Sequence, residues 1–188
     1  MRTFVAIKLP GEVKELLRSI QSGLDRGFRG VSWVKAESIH LTLKFLGEID
    51  EAKAREVSEA LEKASSASGP FTLEVQGVGC FPNSRSPRVL WAGIKESAPL
   101  ASLQKRVDGL LMEAGFEAED RPFTPHLTLC RIKSPEDGRT LGKLLAGLKP
   151  EAKASFTVSS FAFMKSVLKP SGAEYTPIRE FALTGANN

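Results

Sequence analysis

The chain has 188 residues, of which 41% are hydrophobic and 26% are charged, and its formal net charge at pH 7 is +4. This composition excludes a disordered or fibrous protein and suffices for one domain or two small lobes with a shared core. No apolar run approaches the roughly 18–20 residues that span a bilayer, and the first residues show no secretory signal. We therefore expect a cytoplasmic protein with no membrane partner.

The counts of reactive residues narrow the chemistry further. Cys80 and Cys130 are too few for a disulfide framework and lack the paired spacing of a zinc ribbon, so both are interpreted as small buried apolar groups. The mild positive charge permits an anionic partner such as RNA but does not require one. Histidine occurs twice, as His40 and His126.

The spacing of apolar residues predicts strands and helices that follow one another along the chain. Strands are predicted at residues 3–9, near 33–34, and at 39–46, 71–78, 88–95, 125–132, 155–165 and 178–183. Helices are predicted at residues 12–24, 50–65, 99–114 and within 134–148. Segments 80–87 and 117–125 are predicted to be loops.

Three landmarks recur along the chain at nearly constant spacing, which indicates an internal duplication. Residues 4–8 are similar in type to 90–95, the sequence 40–43 is repeated at 126–129, and 71–73 is similar to 156–158, with offsets of 87, 86 and 85 residues. Two units are too few for a stacked repeat array, which needs three or more. We therefore expect one domain, residues 1–188, of two tandem repeats at about 1–84 and 85–188, each forming a lobe.

Both histidines are followed by the same three residues, Leu-Thr-Leu. Because side chains alternate along a strand, His40 and Thr42 share one face while the leucines take the other, and His126 and Thr128 do likewise. The leucines can anchor each strand in a core while the polar pair faces outward. If a pseudo-twofold axis relates the two repeats, both polar pairs converge on one cleft between the lobes.

Two histidines and two threonines on converging strands suit chemistry at a phosphodiester. One imidazole can act as base and the other as acid near neutral pH, because the ordinary pKa of histidine is about 6.5. An in-line displacement at phosphorus needs both, since the attacking oxygen loses a proton and the leaving oxygen gains one on the opposite side. Threonine hydroxyls can donate hydrogen bonds to the non-bridging oxygens. The sequence contains no Gly-x-Ser-x-Gly turn, the motif that would indicate acyl transfer.

The histidines have two alternative interpretations. Each could be a satisfied core residue, but each buried polar group without a partner costs about 1–3 kcal/mol, so a repeated pair favours a functional role. A metal site of His40, His126 and Cys130 is conceivable, since Cys130 lies four residues after His126. The matching residue in the first repeat is Lys44, a poor zinc ligand, so we expect no metal. The absence of glycine-rich phosphate loops predicts no nucleotide cofactor.

The motifs and their flanks define a pattern that covers nearly the whole chain, at residues 2–7, 40–47, 81–82, 87–91 and 125–131. In these segments the chain resembles the 2H phosphoesterases, and in particular the RNA 2′,3′-cyclic phosphodiesterases, formerly called 2′-5′ RNA ligases. The resemblance implies an α+β fold of two pseudo-symmetric lobes, each an antiparallel sheet with helices on its outer face. It also implies a metal-free active-site cleft between the lobes.

The resemblance assigns roles to the motif residues. It implies that His40 is the proton donor, that His126 is the proton acceptor, and that Thr42 and Thr128 bind the phosphate. RNA with a 2′,3′-cyclic phosphate end, tRNA fragments included, would be hydrolysed to a 2′-phosphomonoester without a cofactor. The resemblance also implies reversible 2′-5′ ligation of RNA ends at the same site. The two motifs are almost identical, so the residues alone do not decide which histidine is the acid. Two self-contained lobes favour a monomer.

Residues outside the motifs are further candidates. Arg131 is a candidate substrate contact, but strict alternation points it away from His126 unless a β-bulge or a strand end intervenes. Phe45 holds the equivalent place in the first repeat and is a second candidate contact, although the pattern favours a core position over a base-stacking one. The residues that could form a basic rim, or only a solvated surface, are Lys44, Arg85, Arg88 and Lys165. The aromatic residues interpreted as packing residues are Trp33, Trp91 and Tyr175.

Three functions are compatible with these residues. The first is a metal-independent cyclic phosphodiesterase acting on RNA ends. The second is a 2H relative with another substrate, such as an ADP-ribose cyclic phosphate or a 2′-5′ oligonucleotide. The third is a non-catalytic module that grips an RNA end, which the lack of interleaved aromatic and basic residues disfavours.

Overall fold

The computed structural model describes residues 1–147, 153–170 and 172–186, and within these ranges it contains two antiparallel sheets and four α-helices. The strands are β1 (Arg2–Lys8), β2 (Val31–Trp33), β3 (His40–Glu48), β4 (Phe71–Phe81), β5 (Val89–Ile94), β6 (His126–Ile132), β7 (Ala154–Val158), β8 (Ser160–Lys169) and β9 (Gly172–Ala182). The helices are α1 (Gly11–Leu24), α2 (Glu51–Ser66), α3 (Ala98–Glu113) and α4 (Pro135–Gly147). In the part of the chain so described, no helix is both long and apolar enough to cross a membrane.

The predicted α+β class is confirmed, and the differences lie at element ends. Strand β4 runs to Phe81, three residues past its predicted end, because the glycine at 77, with φ of 79°, marks an irregularity within the strand and does not end it. The predicted strand 155–165 is divided at Ser159 into β7 and β8, and β9 begins at Gly172, six residues earlier than predicted. The predicted helix limit at 148 lies outside the described residues.

Each sheet contains strands from both halves of the chain. The strand order is β3-β1-β8-β9 in the sheet of lobe A and β2-β6-β5-β4-β7 in the sheet of lobe B. The expectation that residues 1–84 and 85–188 each form their own lobe is therefore wrong. The short connection after β4 makes β4 and β5 an antiparallel hairpin, with Phe81 opposite Val89. The free edge of β1 is then paired by β8, with Ser166 opposite Arg2.

The helices cover the outer faces of the two sheets. Helices α2 and α3 pack on lobe A, and α1 and α4 pack on lobe B. Along β1, Val5 and Ile7 enter the large apolar core that both lobes share, while Phe4 and Ala6 lie on the opposite face in a smaller apolar cluster. This alternation leaves one face of each sheet free to line a cleft.

Strand β3 carries one residue more than its partner β1 at the motif. Thr42 lies opposite Ala6 and Lys44 lies opposite Val5, so Leu43 is the additional residue of a β-bulge. Leu43 and Lys44 are both buried, 4% and 5% exposed. The bulge therefore reverses the alternation of side chains at Lys44 and Phe45, up to a second irregularity between Phe45 and Gly47.

Strand β6 carries the same irregularity at the second motif. Thr128 lies opposite Trp91 and Cys130 lies opposite Leu90, so Leu129 is the additional residue. Leu129 and Cys130 are both fully buried. The two histidine strands are therefore bent and re-aimed at equivalent positions.

Lys44 is a core residue, and its predicted place on a basic rim is wrong. Because the bulge turns it away from the cleft, its ammonium group lies among the helices, where it forms an ion pair with Asp108 of α3. The same group donates a hydrogen bond to the carbonyl oxygen of Glu117 at 2.8 Å. This one side chain links β3 to α3 and to the segment that precedes β6.

Removing the Lys44 ammonium group should destabilise the fold. Lys44→Ala leaves Asp108 and the Glu117 carbonyl without their partner, so we expect the free energy of unfolding to fall by about 2–4 kcal/mol in urea denaturation. Lys165→Ala, which removes an exposed lysine of β8, is the matched control and should change it by less than about 0.5 kcal/mol. Equal effects of the two substitutions would contradict this account.

Candidate active site

A cavity of about 490 Å³ lies between the two lobes, and both sequence motifs line it. His40 and Thr42 enter from β3 of lobe A, and His126 and Thr128 enter from β6 of lobe B. The structure therefore brings the four motif residues together in one cavity, although the two motifs are 86 positions apart in the sequence. Each motif stands at the start of its strand, and Ser38 and Ile39 before the first motif also line the cavity.

The two imidazole rings are held in the same way. Nδ1 of His40 donates to the carbonyl oxygen of Ser38 at 2.8 Å, and Nδ1 of His126 donates to that of Thr124, also at 2.8 Å. Because a carbonyl oxygen only accepts hydrogen bonds, Nδ1 carries the hydrogen in both rings. Nε2 is therefore the nitrogen of each ring that is available to exchange a proton with a bound molecule.

Aromatic side chains pack against His40. Its ring stacks on Phe4, with ring centroids 4.6 Å apart, and Tyr175 meets it edge-on at 4.9 Å. This enclosure lowers the pKa of His40 below its ordinary value of 6.5, because burial disfavours the charged form, although the hydrogen bond to Ser38 acts in the opposite direction. The neutral imidazole is therefore favoured at His40 in the free protein.

His126 has an aromatic neighbourhood of its own in lobe B. Phe81 at the end of β4 meets its ring edge-on at 5.1 Å, and Trp91 of β5 lies 6.4 Å away. The Trp91 ring lies close over Gly79, where an added Cβ would come within 2.3 Å of the indole. Glycine at this position therefore makes room for the indole beside His126.

The threonines present unengaged hydroxyl groups to the cavity. Thr42 and Thr128 line it and are half-buried, and within the described ranges neither hydroxyl has a hydrogen-bond partner in the protein. Each lies two residues after its histidine, before the bulge, so it shares the face of that histidine. Both hydroxyls can donate to an oxygen atom of a molecule held between the histidines.

The bulges place Phe45 and Arg131 at the cavity. Both residues line it, as the bulge anticipated for Arg131 requires. The interpretation of Phe45 as a core residue is wrong, since 68% of its surface is exposed. Arg2 at the start of β1 also lines the cavity, and among the described residues neither arginine has an ion-pair partner. The two guanidinium groups are free to meet an anion.

Cys130 does not lie with the histidines, which removes the proposed His40, His126 and Cys130 metal site. Its side chain is fully buried on the other side of β6, and burial raises the pKa of its thiol to about 12. A thiol with so high a pKa is a poor metal ligand near neutral pH. Among residues 1–147, 153–170 and 172–186, no three His, Cys, Asp or Glu side chains are grouped closely enough to hold a metal ion.

Some cavity residues were missed by the sequence predictions. Phe4 could have been found by alternation, because it lies between the buried positions of β1, whereas Phe81 was assigned to a loop. Tyr175 was interpreted as a packing residue, and Trp91 contacts the second histidine, while Trp33 does pack against the core as predicted. Arg85, Arg88 and Lys165 are exposed, and the cavity lining does not include them.

Comparison with known proteins agrees with this geometry. The sequence profile of the family described as LigT like Phosphoesterase matches residues 7–91 and 93–175. An RNA 2′,3′-cyclic phosphodiesterase of Aquifex aeolicus is 36% identical over 187 residues, which cover 98% of each chain, and one of Thermotoga maritima is 36% identical, covering 98% of this chain and 97% of that protein.

Solved structures show the same fold. The crystal structure of TT0787 of Thermus thermophilus has a TM-score of 0.82 with 31% identity and covers all of both chains. The structure of E. coli LigT complexed with 3′-AMP has a TM-score of 0.80 with 28% identity and covers 97% of this chain and 98% of that one. With two halves matched by one family profile and relatives similar over nearly the full length, the chain belongs to the LigT-like phosphoesterases.

Proposed function

We propose that this protein is a phosphodiesterase that hydrolyses RNA 2′,3′-cyclic phosphate ends to 2′-phosphomonoesters by paired-histidine acid–base catalysis. The observation that carries the proposal is the pair of imidazoles held by equivalent carbonyl hydrogen bonds in one cavity, each with a free threonine hydroxyl beside it. The relatives from Aquifex aeolicus and Thermotoga maritima carry the name of this activity, which supports the same assignment here.

The reaction begins with a water molecule in line with the bond from phosphorus to the 3′ oxygen. His126 takes a proton from this water at Nε2 as the oxygen attacks phosphorus. His40 gives the proton on its Nε2 to the departing 3′ oxygen, so the 2′ ester bond is retained. One proton is taken up and one is released, and a 5′ hydroxyl that attacks the same phosphorus in place of the water joins the cyclic end to it through a 2′-5′ linkage.

The hydroxyls of Thr42 and Thr128 stabilise the charge that develops on the non-bridging oxygens. Each comes from a different lobe, on the strand face of that lobe's histidine, so the phosphate is held from both lobes. Arg131 supplies positive charge near the same oxygens, and Phe45 offers an exposed ring on which a base can stack. We infer that these two residues contact the substrate and do not take part in proton transfer.

His40 can act as an acid only if the bound substrate restores the positive charge of its imidazole. Burial between Phe4 and Tyr175 favours the neutral ring in the free protein. A cyclic phosphate is an anion, and a negative charge within a few ångströms raises the pKa of a histidine. His40 is then protonated when the substrate is bound, which is when the leaving oxygen needs its proton.

We also propose that RNA fragments, those of tRNA included, are acted on by a single copy of the chain in the cytoplasm. One chain supplies both histidines and both threonines to the cavity, which supports a monomer because no residue of a second copy is needed. The unpaired guanidinium groups of Arg2 and Arg131 support a polyanionic substrate.

Hydrolysis should depend on both histidines and should not depend on a metal ion. With a short RNA that ends in a 2′,3′-cyclic phosphate and excess chelator present, we expect wild type to form the 2′-phosphate and His40→Ala or His126→Ala to lower kcat by about 100-fold or more. Chromatography of the products against 2′- and 3′-phosphate standards is the measurement. Arg85→Ala, an exposed residue outside the cavity, is the control. Equal turnover by His126→Ala, or no 2′-phosphate from wild type, would refute the proposal.

The order of acid and base can be tested with a leaving group that needs no proton. On a p-nitrophenyl phosphodiester, we expect His40→Ala to lose far less of the wild-type rate than His126→Ala, because p-nitrophenolate departs unprotonated while the water still needs a base. Absorbance of the released nitrophenolate measures the rate. The opposite ranking would assign the acid to His126.

The lowered pKa of His40 should be measurable by NMR titration. We expect the Cε1 proton resonance of His40 to report a pKa below the ordinary histidine value of 6.5 in the free protein, because burial favours the neutral ring. This pKa should rise when inorganic phosphate is added. The His40→Asn and His126→Asn variants assign the two resonances, and sodium chloride at equal ionic strength is the control. A free-protein midpoint at or above 6.5 for His40 would contradict the prediction.

A further inference from the structure

A second cavity, of about 170 Å³, adjoins the active-site cavity. His40 and Tyr175 line both cavities, so the proposed acid lies between them. Lys8 at the end of β1 and Lys14 in the first turn of α1 also line it. None of the roles derived for the phosphodiester reaction uses either lysine.

Two lysines and one glutamate line this cavity, so its lining carries more positive than negative charge. The carboxylate of Glu37 lines the cavity but is held by Arg18 in an ion pair, and Lys8 is paired with Glu180. Lys14 is half-buried, and among the ion pairs of residues 1–147, 153–170 and 172–186 it has no partner. The ammonium group of Lys14 interacts with the Glu37 carboxylate only at longer range, and Glu37 is already paired with Arg18, so Lys14 is able to receive an anion.

Strand β1 connects the two cavities. Arg2 at its start lines the active-site cavity and Lys8 at its end lines the second one, six residues and about 20 Å apart along the strand. His40 lies opposite Lys8 in the pairing of β3 with β1. An anion held near Lys8 and Lys14 is therefore next to the 3′ oxygen that His40 protonates in the proposed reaction.

We propose that the second cavity binds the backbone phosphate next to the reacting nucleotide, so that the enzyme selects RNA strands over cyclic mononucleotides. A volume of about 170 Å³ holds one phosphate group with a few waters, each of which takes up about 30 Å³, and is too small for a further nucleotide. The shared wall at His40 requires the two phosphates to be neighbours. This inference rests on the proposed hydrolysis of cyclic phosphate ends.

The test compares three substrates that share the same reacting end. They are a nucleoside 2′,3′-cyclic phosphate, a dinucleotide with that end, and the same dinucleotide with a neutral methylphosphonate between the nucleosides. We expect kcat/KM of the wild-type protein to be about tenfold higher for the dinucleotide than for the mononucleotide, and the methylphosphonate to lose most of this gain.

Variants of the lysines locate the contact. Lys14→Ala and Lys8→Ala should each lower the ratio of kcat/KM between dinucleotide and mononucleotide by about threefold to tenfold, whereas Lys14→Arg keeps the charge and most of the ratio. The dependence of log kcat/KM on log salt should become shallower by about 0.7 for the dinucleotide in Lys14→Ala. Lys63→Ala removes an exposed lysine of α2 with the same change in net charge and should keep the wild-type ratio.

Three results would overturn the proposal: equal kcat/KM for mononucleotide and dinucleotide, a methylphosphonate that keeps the full gain, or an unchanged ratio in Lys14→Ala. The second result would assign the gain to the base and not to the phosphate. Calorimetry with dinucleotides that end in an ordinary 3′-phosphate repeats the comparison without turnover. Equal Kd for the phosphodiester and methylphosphonate forms would refute the second site even if the proposed hydrolysis failed, and a tighter phosphodiester would support it.

Discussion

The reacting face of this protein depends on one extra residue in each histidine strand. Leu43 and Leu129 each oppose no residue of the neighbouring strand, so the side chains beyond them change sides. Without these bulges, a lysine and a cysteine would enter the cavity, and Phe45 and Arg131 would point into the core. The same irregularity therefore removes two unsuitable groups and supplies a ring and a guanidinium. Since leucine fills the buried position in both strands, the apolar core stabilises each bulge.

The cleft is formed by an exchange between the halves of the chain. The last strand of the first half, β4, pairs with β5 of the second half, and β8 pairs with β1. Helices follow the same rule, because α1 packs on lobe B and α3 packs on lobe A. Each lobe is thus completed by the other half, and the apolar core is continuous between them. We infer that the two motifs keep a fixed relation, since neither half of the chain supplies a complete sheet around its own histidine.

Electrostatics in the cavity favour an anionic occupant. His40 is enclosed by rings and prefers to be neutral, while the guanidinium groups of Arg2 and Arg131 have no carboxylate near enough to pair with in the described chain. A bound anion stabilises the charged form of the imidazole and compensates both guanidinium groups. In the proposed reaction, binding of a phosphate therefore charges His40 and neutralises the arginines in one event, which couples recognition of the substrate to readiness for proton transfer.

Much of the site followed from the sequence because its parts are local. The repeated His-Leu-Thr-Leu segments determine which side chains share a strand face, since alternation is a property of the extended backbone. Periodicity also indicated most of the strands and helices, and the need for a bulge or a strand end before Arg131 could be stated from its position alone. These inferences require no knowledge of which strands are neighbours.

Only the tertiary structure decided the rest, because it depends on pairing between distant segments. The exchange of β4 and β8 cannot be read from a duplicated sequence, which is equally compatible with two separate lobes. The exposure of Phe45 and the burial of Lys44 followed from a register shift against β1, not from their own residue types. The contacts of Phe4, Phe81 and Tyr175 with the histidines arise where strands far apart in the chain meet. The sequence determined the four residues on which the proposed chemistry rests, and the strand pairing determined what surrounds them.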